Sequence, residues 1–365
     1  MDDGSRSRPA ASDAMAPSEP ASRPGLIRSI AHRLAGDQPA LPVEGRLAPF
    51  DRATGWLNSE PLTPDGLRGR VVLVDFWTYT CVNWLRTLPY VRAWAAKYAD
   101  AGLTVVGVHT PEFGFERDLD NIVREVRRFG VEFPVAIDSD YGIWSAFANH
   151  FWPAVYISDA EGRIRFHHFG EGEYAMTEMV IQQLLLDAGA GGLDQSLVDV
   201  SPVGLEVAAD WRTLQTPETY TGHRQSNGFA QESVARFDQP AAYVAPERLA
   251  LNTWGLAGTW TVAGHAAVAN EPGARIAFQF HARDVNLVMG PAQGVAAVPF
   301  RVFLNGEPVG DTGEVLGTDV AADGTGILNE QRTYQLIRQS GPIADRRFEI
   351  EFLEAGAEAY CFTFG

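Results

Sequence analysis

The chain has 365 residues, more than one core usually organises, so two domains of ordinary size are expected. Its 45% hydrophobic and 21% charged residues are a globular composition, and no stretch approaches the roughly 20 apolar residues needed to cross a bilayer. With 29 basic and 46 acidic side chains the net charge is −17, which repels phosphate backbones and argues against nucleic acid as a partner.

Residues 1–24 are rich in Ser, Pro, Ala and Asp and have little to bury, so this stretch reads as disordered. Gly25 to Gly36 carries Leu26, Ile30 and Leu34 four apart, the pattern of a short helix. One narrow apolar stripe binds lipid weakly, so docking on its own domain is favoured over a membrane surface. Neither a basic segment leading into an apolar stretch nor a twin arginine is present, and the expectation for the sequence as written is a cytoplasmic protein. A periplasmic location would require a longer N-terminus.

From Leu47 to about Leu186 strands and helices alternate. Val71 to Phe76 is a nearly continuous apolar run of the kind buried on both faces, followed by helix to Tyr98. Thr104 to Val108 repeats the strand signal, Asn121 to Phe129 reads as helix, and short strands follow at Pro134, Ala154 and Arg163 before a helix from about Thr177. Strand, helix and parallel strand in succession imply an α/β layer with right-handed crossovers.

Asp187 to Gln195 is a connector by composition, and after Gln215 the period becomes two. Ile276, Phe278 and Phe280, and likewise Phe348, Ile350 and Phe352, alternate with polar neighbours, so each strand has one buried face. Asn305-Gly306 marks a hairpin turn because both residues tolerate positive φ. The expected organisation is a tail over 1–40, an α/β domain over 41–190, a linker over 191–214 and a β-sandwich over 215–365.

The two cysteines, Cys81 and Cys361, are too few for a disulfide framework or a four-thiolate zinc site, and isolated thiols suit a reducing compartment. Cys81 opens the helix that follows the Val71 strand. There its sulfur would meet unpaired backbone N–H groups and the positive end of the helix dipole, conditions that favour thiolate. Against this stands the usual fate of a lone cysteine as a small buried hydrophobe. Cys361 alternates with Tyr360 and Phe362 on a closing strand and reads as structural.

The segment from Val71 to Pro89 resembles the thioredoxin fold, in particular its TlpA-like branch and the redoxin part of DipZ proteins. Asp75 lies six residues before Cys81, as the family's buried aspartate does, and Pro89 falls where the family kinks its helix. Trp152-Pro153, just before the strand from Ala154, matches the family's cis-proline, whose loop guides thiol substrates. The departure is Cys81-Val82-Asn83-Trp84, with Trp84 where the resolving cysteine would stand. A dithiol cycle within the motif is therefore impossible, and an external thiol would have to complete any turnover. The loss also leaves Asp75 without the thiol it serves in the family. Thr78-x-x-Cys81 echoes a peroxiredoxin motif only weakly, because Val74 stands where that motif has its proline.

His109 and Glu112 leave the neighbouring strand on the same sheet edge as Cys81, where a histidine could keep the thiol ionised or protonate a leaving group. DipZ-like sequences carry a comparable His-Thr-Pro-Glu-Phe stretch, and a purely loop-shaping role competes with the chemical one. His167 and His168 are adjacent on a strand, so their rings diverge, and Asp118, Asp120, Asp319 and Asp323 lack calcium-loop spacing. No metal and no cofactor is implied.

The second domain resembles the C-terminal module of DipZ-like proteins, a jelly-roll sandwich like those of carbohydrate-binding modules, through the stretches around Trp260, Asp284 and Tyr360 to Gly365. Trp254 and Trp260 would stack on a glycan if exposed, although a core role is favoured. The resulting expectation is an α/β thioredoxin-like domain joined to an all-β sandwich, acting on disulfides or peroxides. Cys81, Asp75 and His109 would be its catalytic groups. Trp84, Trp152, Pro153 and Glu112 would line the substrate, and a thiol reductant or protein disulfide would be the partner. The alternative is a non-enzymatic scaffold whose sandwich recognises a ligand.

Overall fold

The computed structural model describes residues 41–310 and 316–365; the tail and helix expected over 1–40 lie outside the described residues. The first sheet is built from β1 (Gly45–Arg46), β2 (Gly55–Leu57), β3 (Val71–Trp77), β4 (Leu103–His109), β5 (Val135–Ile137), β6 (Ala154–Ser158) and β7 (Arg163–Phe169). Their order is β1-β7-β6-β3-β4-β5-β2, with β3, β4 and β5 parallel and the other pairings antiparallel. β3 lies at the centre and every one of its seven residues is buried, as its apolar run requires.

Helices α1 (Val82–Tyr98), α2 (Leu119–Arg128), α3 (Gly142–Ala146) and α4 (Tyr174–Asp187) cover the sheet. Leu73, Trp77 and Val105 point to the core beneath α1 and α4, whereas Val72, Val74, Phe76 and Val108 point to the core on the opposite face with Ile143 and Trp144. In α1 Trp84, Leu85, Leu88, Val91 and Trp94 are spaced to bury one face, and Pro89 sits within the helix. The segment beyond α4 folds back along α1: Leu205 joins the core and Glu206 pairs with Arg92 at 2.8 Å.

The remaining strands are β8 (Thr219–Tyr220), β9 (Ala241–Tyr243), β10 (Thr253–Val262), β11 (Ala267–Ala269), β12 (Ala274–Phe280), β13 (Asp284–Pro291), β14 (Val298–Leu304), β15 (Glu307–Pro308), β16 (Thr325–Leu328), β17 (Arg332–Arg338), β18 (Arg346–Phe352) and β19 (Ala357–Phe364). All their pairings are antiparallel, along the path β15-β14-β18-β12-β10-β11-β19-β13-β17. Curling of this sheet encloses an apolar core that holds Ile276, Phe278, Phe280, Phe348, Ile350 and Phe352, the residues whose alternation marks those strands. Asn305 and Gly306 turn from β14 into β15 with φ of 55° and 86°.

Trp254 and Trp260 are wholly buried in this core, their indole N–H groups donating to Asn227 O and Ala257 O at 2.9 and 2.8 Å. This is the core role favoured for both, and since neither ring reaches solvent, neither offers a face to a glycan. Among the described residues no helix is long and apolar enough to cross a membrane.

Candidate thiol site at the domain interface

β3 ends at Trp77, a three-residue loop follows, and Cys81 takes the extended N-cap position of α1 with φ −71° and ψ 108°. Its N–H donates to Thr78 O at 3.2 Å and its carbonyl accepts from Leu85 at 3.0 Å, so the turn is closed before the helix begins. Cys81 is half-buried.

A residue that sequence reasoning passed over fixes this loop. Glu116 is fully buried; one carboxylate oxygen accepts from Thr80 Oγ1 at 2.6 Å and Thr80 N at 3.3 Å. The other accepts from Glu112 N at 2.6 Å and Phe113 N at 2.8 Å. The loops leaving β3 and β4 are thus fastened by one side chain. Burial raises the Glu116 pKa, and these hydrogen bonds hold it back. In the sequence Glu116 is one more acidic residue, after Phe113-Gly114-Phe115 and before Arg117, and nothing local marks its role.

Trp84, expected at the substrate surface, is corrected by its placement: it has no exposed surface and lies flat on Trp77, ring centroids 4.2 Å apart. The indole N–H donates to Asp75 Oδ2 at 2.9 Å. Trp84 therefore fills the space beneath Cys81 and occupies the aspartate that would serve a second thiol. Desolvation raises the Asp75 pKa to about 7 despite the Trp84 bond, and Asp75 Oδ1 has no hydrogen-bond partner among the described residues.

His109 does reach the end of β4, opposite Trp77 in the register, but it is fully buried. It lies edge-on to Trp77 with centroids 4.7 Å apart and stacked on Tyr79 at 5.7 Å, and neither ring nitrogen has a hydrogen-bond partner among the described residues. Desolvation lowers its pKa to about 3, so it is neutral near pH 7. The expected exchange of a proton with Cys81 is corrected accordingly: side chains of alternate residues on β4 point beneath α1, and His109 takes the buried side. Gly107, two residues earlier, leaves room for the Trp77 ring, since a Cβ there would fall 2.9 Å from Trp77 Nε1.

The Trp152-Pro153 peptide is cis, and β6 begins beside the end of β3, with Ala154 opposite Phe76. Pro153 is buried and Trp152 half-buried, its N–H donating to Thr110 O at 3.1 Å and its ring 4.2 Å from Trp144. Both lie on the edge where Cys81 emerges. His167 faces Glu44, with Nδ1 2.7 Å from its carboxylate, while His168 approaches Glu171 O. The two rings diverge. Asp118 caps α2 by accepting from Asp120 N and Asn121 N.

The second domain is seated on this edge. Thr333 Oγ1 donates to Thr80 O at 2.9 Å, and the Tyr220 hydroxyl donates to Glu112. Arg86, on α1, binds Glu171 and Phe364 O, each at 3.0 Å. Phe113 and Phe115 pack with Val288, Tyr360 and Cys361 in a cluster shared by both domains. This proximity decides the acidity of the site. Desolvation pushes the Cys81 thiol well above its ordinary range, Glu112 and Glu218 add to the rise, and the N–H groups of Trp84 and Asn83 only partly oppose it. The expected thiolate is thus disfavoured while the domains are docked, because lost hydration and two carboxylates outweigh the helix start. Tyr220, Glu218 and Thr333 lie more than a hundred residues from Cys81 in the chain, so only the folded topology could reveal them.

A parallel β3-α1-β4 unit with cysteine at the helix start, a buried aspartate below it and a cis-proline loop beside it define a thioredoxin-like domain. Residues 216–365 match the model of the thioredoxin like C-terminal domain family, so the whole is a thioredoxin-like domain with that module attached. The chain is DipZ-like: it is 37% identical over 289 residues to protein DipZ of Mycobacterium tuberculosis, across 74% of this chain and 39% of DipZ. It therefore spans about two fifths of the length of that relative. Thiol-disulfide oxidoreductase YkuV of Bacillus subtilis is 29% identical over 142 residues, 38% of this chain and 95% of its own. A solved thioredoxin-like protein in the oxidised form is 29% identical, covering 39% of this chain and 97% of that one with a TM-score of 0.37.

Proposed function

We propose that this chain is a thiol-dependent redox protein in which Cys81 is the attacking sulfur. Its substrates are disulfides, with peroxides as a second oxidant class, and its partner is a thiol reductant or a protein disulfide. In the first step the Cys81 thiolate attacks one sulfur of a disulfide, the S–S bond breaks, and the second sulfur leaves as a thiolate. Trp84 leaves no sulfur within the motif to resolve the mixed disulfide, so a thiol outside the motif must do so. The observation that carries the reading is the placement of Cys81, half-accessible at the start of α1 beside the Pro153 loop. Asp75 serves as a support for Trp84 here, and Trp152, half-exposed beside the buried cis-Pro153, provides the surface on which a substrate would lie.

The test is reduction of a small aromatic disulfide by the full chain with excess glutathione, read by absorbance. Turnover in the native chain and its loss in Cys81→Ser are expected; equal rates in the two would sink the assignment. A scaffold without chemistry has one observation in its favour, the docking of the second domain over the site. On that reading Cys81→Ser would leave every property of the protein unchanged.

A further inference from the structure

The register of the second domain sets four residues in a row on adjacent strands. Cys361 is opposite Tyr220 on one side and Val288 on the other, and Val288 is opposite Thr333. Directly opposed residues share a face of the sheet and lie about 5 Å apart, so the row is roughly 15 Å long. Both ends touch the loops around Cys81. Thr333 Oγ1 donates to Thr80 O, the carbonyl that immediately precedes Cys81, and the Tyr220 hydroxyl donates to Glu112. These two anchor points are themselves held together by the single carboxylate of Glu116. Cys361 occupies the middle of the row, against Phe113, the residue after Glu112. The second thiol of the chain therefore faces the same pair of loops that carries the first.

We infer that Cys361 is the resolving thiol for Cys81, supplying across the domain interface the sulfur that Trp84 displaces from the motif. The inference rests on Cys81 being the attacking sulfur, as proposed above. Attack of Cys81 on R–S–S–R′ gives Cys81–S–S–R and R′S⁻. The Cys361 thiolate then attacks Cys81 Sγ, RS⁻ leaves, and a Cys81–Cys361 disulfide forms. The two protein thiols lose two electrons and two protons, and the substrate disulfide takes up both as two thiols. A dithiol reductant returns the protein disulfide to its starting state. A proton acceptor is at hand: the Tyr220 hydroxyl lies between Glu112 and Glu218, 3.4 Å from the latter, and Glu218 neighbours the Cys361 thiol. Both cysteines are free in the reduced chain, and bond formation draws their Cα atoms within about 7 Å.

The experiment exposes the reduced full chain to oxidised glutathione, quenches with acid at intervals, and maps peptides without reduction. A glutathione adduct at Cys81 that decays into a linked Cys81–Cys361 peptide pair is expected. In Cys361→Ser the linked pair is lost and the Cys81 adduct persists, with an unchanged circular dichroism spectrum. Cys361→Ala, which buries no hydroxyl, serves the same purpose if the serine variant does not fold. A lasting Cys81 adduct in the native chain, with Cys361 still open to alkylation after unfolding, overturns the resolving role and leaves the redox reading intact. Failure of Cys81 to form an adduct in any of the three proteins overturns both.

Discussion

Replacing Asp75 by asparagine tests the buried layer beneath Cys81 directly. Burial raises the Asp75 carboxyl from 3.8 to about 7, the Trp84 hydrogen bond being too small an offset. Between these values the unfolded chain has released its proton while the folded chain keeps it. The folded state then binds more protons, and stability falls as pH rises. About three units at 1.36 kcal/mol each make this loss about 4 kcal/mol by pH 7. His109 works in the opposite sense: burial lowers it from 6.5 to about 3, so the unfolded chain binds the extra proton and stability climbs with pH. In the native chain the two slopes largely cancel over this window. Asp75→Asn keeps an oxygen for the Trp84 N–H and removes one titration. Relative to the native chain the variant should gain up to about 4 kcal/mol between pH 4 and pH 7, exposing the His109 slope. Urea unfolding at fixed pH values from 3 to 8, under reducing conditions, gives the difference between the two proteins. A difference that stays flat from pH 4 to pH 7 would refute the assignment of a buried, neutral Asp75, whatever constant offset accompanies it.

Other perturbations follow from the same geometry. Trp84→Cys restores a second sulfur to the motif but empties a wholly buried site stacked on Trp77, and should cost about 3–5 kcal/mol in urea unfolding. Glu116→Gln leaves one of the fastened loops without its acceptor and should destabilise by about 1–3 kcal/mol, measured the same way. Iodoacetamide labelling of Cys81 in the docked chain should rise only at a pH above that of an ordinary thiol, and Glu218→Gln should shift the onset downward. An unchanged onset would remove Glu218 from the environment of Cys81. Thr333→Val, which takes away the hydrogen bond to Thr80, should speed the labelling at constant pH.

Period and punctuation were enough to place the central strands and the helix that follows Cys81, because buried parallel strands and one-sided helices leave strong apolar patterns. The edge strands Gly45–Arg46 and Gly55–Leu57 and the short helix Gly142–Ala146 left no such pattern; they are two to five residues long and are held by the elements beside them. The position of Cys81 at the helix start was legible in the strand-to-helix pattern, and the cis Trp152-Pro153 peptide through the resemblance to the thioredoxin fold. The orientation of His109 was not, since alternation on a strand buried on both faces does not say which face carries the chemistry. Trp84 was misplaced for a related reason: its motif position suggested a surface, while its size and its N–H partner decide for the core. Contacts of Thr80 with Thr333 and of Glu112 with Tyr220 join residues more than a hundred positions apart, and local pattern holds no record of them.

Tryptophan at the place of the motif's second cysteine changes the site in three linked ways. It donates to Asp75 Oδ2, and it closes the space where a second sulfur would stand. It also leaves Cys81 dependent on whatever covers the sheet edge, which is the second domain. That cover has opposing effects on reactivity. Glu112, Glu218 and lost hydration reduce the thiolate fraction, yet a thiolate of higher pKa is the stronger nucleophile, with a Brønsted coefficient of about 0.4–0.5. Because the coefficient is below one, each unit of raised pKa costs more in thiolate population than it returns in nucleophilicity. On the proposed function the docked arrangement therefore slows the first attack on a disulfide. If Cys361 resolves the mixed disulfide, as inferred above, its place over the loops of Cys81 raises its effective concentration, while burial pushes the Cys361 thiol up as it does that of Cys81. Entry into the mixed disulfide then depends on the Cys81 thiolate and departure from it on the Cys361 thiolate and its proximity, so rapid quenching, and not steady-state labelling, is the measurement that separates the two steps.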